Sequence, residues 1–288
     1  MPTGRLLWTA ALSLIVALGA FAQEEASAAR ALPLGDWLLS LPNSRIPERG
    51  LWEVKFAHRF NQPLSEGSFA DQVHSLFGLD TNADVNFGAS YALRPDLQVG
   101  LWRSNTNDTL EGAVKYVALE QSATMPVTLA LRGGVDWRTE RDLGDRTTLF
   151  AQAIVSRQFG RRAEIFLHPT IATNAGRAVT ISGSGALFEN AFNVPISAAV
   201  RARGSLFLVA ELIPSQSDLP DHMRGDLGWA IGIKRAIGLH WFEILLTNNQ
   251  ATLTDQYVTS TFQGTPLDAS DIRLGFNIER RFGRRARN

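Results

Sequence analysis

The sequence predicts an all-β fold, a single up-and-down antiparallel transmembrane β-barrel of about twelve strands. Three observations predict it. From Leu51 onward, apolar residues alternate with polar or small ones at the two-residue period of a strand with unlike faces. Most of these runs are about 9–12 residues long, near the ~9–11 that a tilted strand needs to cross a bilayer. The connections between runs alternate short and long, clearly everywhere except around strands three to five, as periplasmic turns and external loops do in such barrels.

The chain begins with Arg5, an apolar run from Leu6 to Leu18, and Ala20-Phe21-Ala22 before Gln23. That is the order of a secretory signal peptide, 1–22, cleaved after Ala22. The run is shorter than the ~20 residues of a spanning helix, and no later stretch is long enough to be one. The exported chain is therefore either soluble or a barrel, the other architecture that satisfies every backbone group in lipid. Residues 23–50 form an N-terminal periplasmic segment, in which "LGDWLLSL" (34–41) reads as a short helix.

The strands follow in order. "LWEVKFAHRF" opens at 51, and "ADVNFGASYAL" and "DLQVGLWRS" make a hairpin through Arg94-Pro95-Asp96. Next come "TLEGAVKYVAL", "VTLALRGGVDW", "TLFAQAIVSRQF", "EIFLHPTIA", "VPISAAVRA" and "SLFLVAELI". "LGWAIGIKR", "LHWFEILLTN" and "IRLGFNIERRF" complete the barrel domain, 51–283. Short turns fall at 160–162, 203–204 and 236–238. The long connections 61–83, 173–187, 213–226 and 248–271 are the external loops, and a basic tail, 284–288, ends the chain. An even strand count returns both ends of the barrel to the periplasmic side. Leu274, Phe276, Ile278 and Phe282 share a face of the last strand, which resembles the C-terminal recognition strand of outer-membrane barrels. The residues after Phe282 depart from that pattern.

Turning the apolar face to lipid makes Trp52, Phe56, Tyr91, Leu97, Leu129, Trp229, Phe276, Ile278 and Phe282 membrane-facing. Trp52, Phe60, Tyr91, Trp137, Trp229 and Trp241 sit toward strand ends, as interfacial aromatic girdles do. The other face lines the lumen with Glu53, Lys55, Arg59, Asn86, Gln98, Glu111, Lys115, Arg132, Asp136, Gln152, Ser156, Glu211, Lys234, Glu243, Asn277 and Glu279, and Arg103 is added as a candidate. Charges of both signs suit either a weakly selective aqueous pore or cross-strand ion pairs that fill a closed barrel. Twelve strands lie between filled eight-stranded barrels and open porins.

Other chemistries find little support. Cysteine is absent (0), which excludes disulfides, thiol nucleophiles, cysteine metal sites and lipid-modified cysteine. A net charge of +0 argues against a nucleic-acid partner. No Ser, His and Asn spacing singles out a phospholipase-like triad among His58, His74, His168, His222 and His240, so no enzyme is expected. "DTNAD" (80–84) starts like a calcium loop but has Val85 and Tyr91 where that loop needs Gly and Glu. "SDLPDHMRGD" (217–226) reads as a solvated acidic loop and the glycines of "SGSG", Gly183 and Gly185, as no phosphate loop. No metal or cofactor is expected.

"IPERGLWEVKFAHRFNQPL", "SLFGLDTNADVNFGASYALRPDLQVGLWRS", "LEGAVKYVAL" and "FEILLTNNQATLTDQYV" together resemble a bacterial β-barrel family, domain of unknown function 5777, over residues 46 to 282. The resemblance implies an outer-membrane barrel without catalytic residues. Arg103 and Asn248 match its recurrent positions.

The expected function is a narrow pore or passive channel for small polar solutes in the outer membrane, reached with the barrel-assembly machinery and periplasmic chaperones, and surrounded by outer-membrane lipid. A closed structural or partner-binding barrel is the alternative. A soluble periplasmic lipid-binding barrel with the apolar face inward is the third.

Overall fold

The computed structural model describes residues 31–140, 147–175, 190–214, 216–217, 225–259, 261–262 and 265–283. The expected signal peptide, the basic tail, the "SGSG" glycines, His222 and most of the loops at 139–145, 173–187 and 213–226 lie outside the described residues.

Twelve strands close into one antiparallel barrel. They are β1 (Trp52–Phe60), β2 (Ala83–Arg94), β3 (Leu97–Ser104), β4 (Thr109–Leu119), β5 (Thr128–Arg138) and β6 (Thr147–Phe159). β7 runs over Ala163–Leu167 and resumes as Thr170–Thr173, and β8 over Asn190–Asn193 and Ile196–Arg203. β9 (Leu206–Ile213), β10 (Gly228–Ile237), β11 (His240–Thr247) and β12 (Arg273–Phe282) complete the wall. Each pairs with its chain neighbours, and β12 pairs with β1 in the register Trp52↔Phe282, Lys55↔Glu279 and His58↔Phe276. The two interruptions have one cause. Pro169 and Pro195 lack an N–H, so the ladder breaks at both, and His168 N–H donates instead to the Pro195 carbonyl at 2.8 Å.

Gly204 and Gly238 turn two of the short connections with φ of +55° and +62°. No atom lies within 4 Å of where a side chain would begin at either position. The left-handed backbone is thus the reason for glycine there.

The alternation runs apolar-out. Phe87, Leu101 and Ile244 are 59%, 60% and 66% exposed, whereas the charged residues between such positions are buried. In a water-soluble molecule this wall would be inside out; facing hydrocarbon, it places each face in its own medium. One tryptophan departs from the expected outer girdle. Trp241 points inward and donates its indole N–H to the Pro33 carbonyl at 2.8 Å. Trp102 also turns inward and lies flat over Gly88 and Gly100, where any Cβ would collide with its ring.

Two segments expected outside the wall fill its interior. Residues 31–46 do not form the helix read over 34–41, nor do they hang on the periplasmic side. Gly35 has a φ of +76°, Leu38 N–H donates to the Leu41 carbonyl at 2.8 Å, and Asn43 N–H to the Asp36 carbonyl at 2.8 Å, so the chain folds into a tight knot. A helix would hide its own amides and carbonyls, whereas this knot presents them to charged wall side chains. Leu32, Leu34, Leu38 and Leu39 pack against Ile154, Phe166, Phe207 and Val209, an inward apolar strip of the wall.

From the opposite end, residues 248–259 fold inward around a single helical turn, α2 (Thr254–Tyr257), every side chain of which is buried. The loop 61–82, with α1 (Phe69–His74), stays outside. There Ser68 and Asp71 cap the helix reciprocally, and the Ser68 hydrogen bonds hold the Asp71 carboxyl below the usual range.

Candidate functional site

The lumen is the candidate site. Strand alternation sends Glu53, Lys55, Arg59, Glu111, Lys115, Arg132, Asp136, Glu211, Lys234 and Glu243 into it, all buried. Arg103 is corrected: it follows the inward Trp102, lies exposed on the outer face, and pairs with Asp108 at 2.5 Å. Leu97, expected to face the membrane, lies six residues before it in the same outward register, which already sets Arg103 outside the lumen. Trp52, Phe56, Tyr91, Leu97, Leu129, Trp229, Phe276, Ile278 and Phe282 occupy outward positions.

The wall charges pair largely with one another. Lys234 Nζ lies 2.5 Å from Glu243 and 2.9 Å from Glu279, across β10, β11 and β12. Arg132 pairs with Glu111 across β4 and β5, and Arg281 with Glu53 at 2.6 Å across the closure. Arg59 donates to Asn277 Oδ1 at 2.7 Å.

The N-terminal knot, hereafter the plug, is gripped mostly through its backbone. Glu211 accepts the N–H groups of Leu39, Ser40 and Leu41 at 2.8, 3.0 and 3.1 Å. Lys234 donates to the Trp37 and Leu38 carbonyls at 2.7 and 3.2 Å, and Asn277 to the Leu39 carbonyl at 2.8 Å. Lys55 Nζ sits 3.9 Å above the Trp37 ring, a cation–π contact. Two ion pairs bind plug side chains to the wall, Asp36 with Lys115 and Arg45 with Glu164 at 2.9 Å. Burial opposes ionisation of Asp36, but the Lys115 charge, its hydrogen bond and that from Ser90 outweigh it. They hold the carboxyl below its ordinary 3.8.

The inturned loop lies against β4, β5 and β6. Thr254 N–H donates to Glu111 Oε2 at 2.8 Å, Arg132 to Thr254 Oγ1 at 2.9 Å, and Arg138 to Asp255 Oδ2 at 2.9 Å. Burial lifts Asp255 to about 6 against the pull of Arg138. Tyr257 and Leu253 of the loop join Trp37 and Leu41 of the plug in one apolar cluster with Trp102 and Phe150. Beside Trp37 and Trp102 the space left amounts to about 10 Å³, roughly room for one water.

Sequence reasoning missed Arg138 and Glu164 as lumen-lining residues, although both continue the register of residues it chose. It had no signal for Asp36. One contact has nucleophile–base spacing, His168 Nε2 to Ser197 Oγ at 2.9 Å, but His168 Nδ1 meets no hydrogen-bond partner and both groups are buried. The orienting third member of a triad is missing from it. Among the described residues no cluster of three His, Asp or Glu side chains suits a metal ion.

A closed twelve-stranded wall with an apolar outside and a charged inside defines a membrane-spanning β-barrel of the outer-membrane class. The chain belongs to the family described as membrane bound beta barrel domain (DUF5777), whose model matches residues 35–282. That match begins within the plug, so plug and wall fall in one family unit. Among solved structures, the NanC porin is similar with a TM-score of 0.50 at 9% identity, over 81% of this chain and 99% of that one. Omp33 of Acinetobacter baumannii matches at 0.42 and 12% identity, over 81% and 98% of the two chains. The outer membrane phospholipase A of Escherichia coli matches at 0.41 and 10%, over 88% and 98%. At these identities the likeness is one of fold. Comparison with curated proteins finds no match.

Proposed function

We propose that this barrel is a gated, non-catalytic channel for small polar solutes, closed in the conformation described by its own N-terminal plug. The observation that carries this reading is the division of the ion pairs. Lys234, Glu243, Glu279, Arg132, Glu111, Arg281 and Glu53 pair with one another within the wall, so withdrawing the plug leaves only Lys115, Glu164 and Glu211 of the paired wall charges to find their partners in water. A segment built only to fill the lumen would be expected to supply the partners of those charges. The plug also precedes β1 and contributes no strand, so it can leave without disturbing the sheet register. The mixed lumenal charges favour neutral or zwitterionic solutes over strongly charged ones.

Asp36 provides the test. Its carboxyl is more acidic in the plugged state than its ordinary 3.8, so the Asp36–Lys115 contribution to closure is present above about pH 3.8 and lost as pH falls through the depressed value. Asp36→Asn removes it at every pH and leaves Lys115 buried without its partner. Planar-bilayer recordings and liposome swelling with a neutral sugar at pH 7 are expected to show rare openings for the native chain and frequent ones for Asp36→Asn. Acidification should raise opening in the native chain more than in the variant. A folded variant as silent as the native chain in both assays would leave the closed structural barrel as the better reading.

A further inference from the structure

We infer that the outer wall carries a binding site for an anionic phospholipid headgroup of the periplasmic leaflet, built from Arg235, His240 and Arg280. The site rests on the register of three adjacent strands. His240 on β11 lies directly opposite Arg280 on β12, and Arg235 on β10 lies opposite Phe242, two residues deeper. Directly opposed residues have Cβ atoms ~4.5–5.5 Å apart and diagonal ones ~7–8 Å, so the three side chains form one cluster. All three follow the outward alternation, with Arg235 and Arg280 exposed.

Apart from His58 on β1, the surroundings are apolar. Outward positions of β9 to β12 and of β1 contain no acidic residue; they hold Leu208, Ile231, Ile233, Phe242, Ile244, Ile278 and their like. Neither Arg235 nor Arg280 has an acidic partner among the described residues. A cation on the lipid face is strongly disfavoured at the bilayer midplane and tolerated near an interface, so two arginines there require a wet or anionic level.

The aromatic belt fixes that level. Trp52 pairs with Phe282 and packs against Tyr91, ring centroids 4.7 Å apart, and Arg280 is only two residues from Phe282. Rings of this kind sit among headgroups. Arg235 is likewise close to the short turn at Gly238, at the periplasmic end of the wall. His240 stacks on Phe242, centroids 6.0 Å apart, and Ile233, Phe242 and Ile278 continue below as a surface for acyl chains. A phosphodiester at this level would be met by two guanidinium groups, each able to donate paired hydrogen bonds.

The site is tested on the full chain folded in detergent, by native mass spectrometry with phosphatidylglycerol or phosphatidylcholine of the same acyl chains. The native protein is expected to retain phosphatidylglycerol over phosphatidylcholine by roughly tenfold. Arg235→Gln/Arg280→Gln should abolish the preference. Arg235→Lys/Arg280→Lys should keep part of it, and Arg161→Gln/Arg162→Gln, which removes two rim cations at another turn, should keep all of it. Equal retention of the two lipids by the native protein, or an undiminished preference in the double glutamine variant, would overturn the assignment. Displacement of the lipid by inorganic phosphate at equal concentration would overturn it as well, by making the site one for a free anion.

Discussion

Deleting residues 31–46 is expected to turn a silent barrel into a conducting one while the wall still folds. The wall's closure, β1 against β12, begins after the plug, and four of its ion pairs lie within the wall itself. What the deletion exposes is mixed. Glu211 loses three N–H donors and becomes hydrated, and an apolar strip including Phe166, Phe207 and Val209 meets water. The truncated protein should therefore be less stable but still heat-modifiable on a gel. The loop at 248–259 stays against β4–β6, so the opening should be an eyelet between that loop and the Lys55, Arg59 and Lys234 side of the wall. Conductance should rise from near zero to resolved steps in planar bilayers. Folding without current would show that the loop alone closes the lumen.

Lys234→Ala should produce the largest loss of stability from a single residue. Lys234 is fully buried between Glu243 and Glu279 and also donates to two plug carbonyls. Breaking a buried pair by removing one partner costs about 3–5 kcal/mol, because the remaining charge is left in a medium that cannot solvate it. Here two carboxylates are left. A denaturant titration in micelles, followed by tryptophan fluorescence, should show the loss as a lower midpoint. Adding Glu243→Gln and Glu279→Gln to Lys234→Met should restore much of it, since a neutral set has no charge to strand. A loss below about 1 kcal/mol would mean that water reaches the cluster and that the lumen is wetter than described.

The wall was legible because a barrel in lipid enforces one rule at every residue: alternate positions meet hydrocarbon or the lumen. All twelve runs read from the sequence correspond to strands, and the outward set around Trp52, Tyr91 and Phe276 follows from the same alternation. The plug was not legible. Leu34, Leu38, Leu39 and Leu41 have helix-like spacing, and nothing local records that their backbone will be bound by Lys234, Glu211 and Asn277, residues about 170 to 240 positions away. The loop at 248–259 was misjudged for a related reason. Its polar composition, Asn248 to Thr254, suits water, and equally suits a lumen whose wall offers Glu111, Asp136 and Arg138. Trp241 was placed in the outer girdle because aromatics near strand ends usually are; the carbonyl of Pro33 that receives its N–H belongs to the plug.

The reversible plug is tested most directly by tying it down. Ser44 Oγ of the plug and Ser156 Oγ of β6 lie 2.7 Å apart in a buried contact. Cysteines there would need only a small adjustment to reach the ~2.05 Å of a disulfide, and with no native cysteine in the chain no other pair can form. Single-channel recording on Ser44→Cys/Ser156→Cys at low pH should show silence when oxidised and stepwise opening after reductant is added. Equal current in both states, with the disulfide verified by mass, would contradict the plug as the gate.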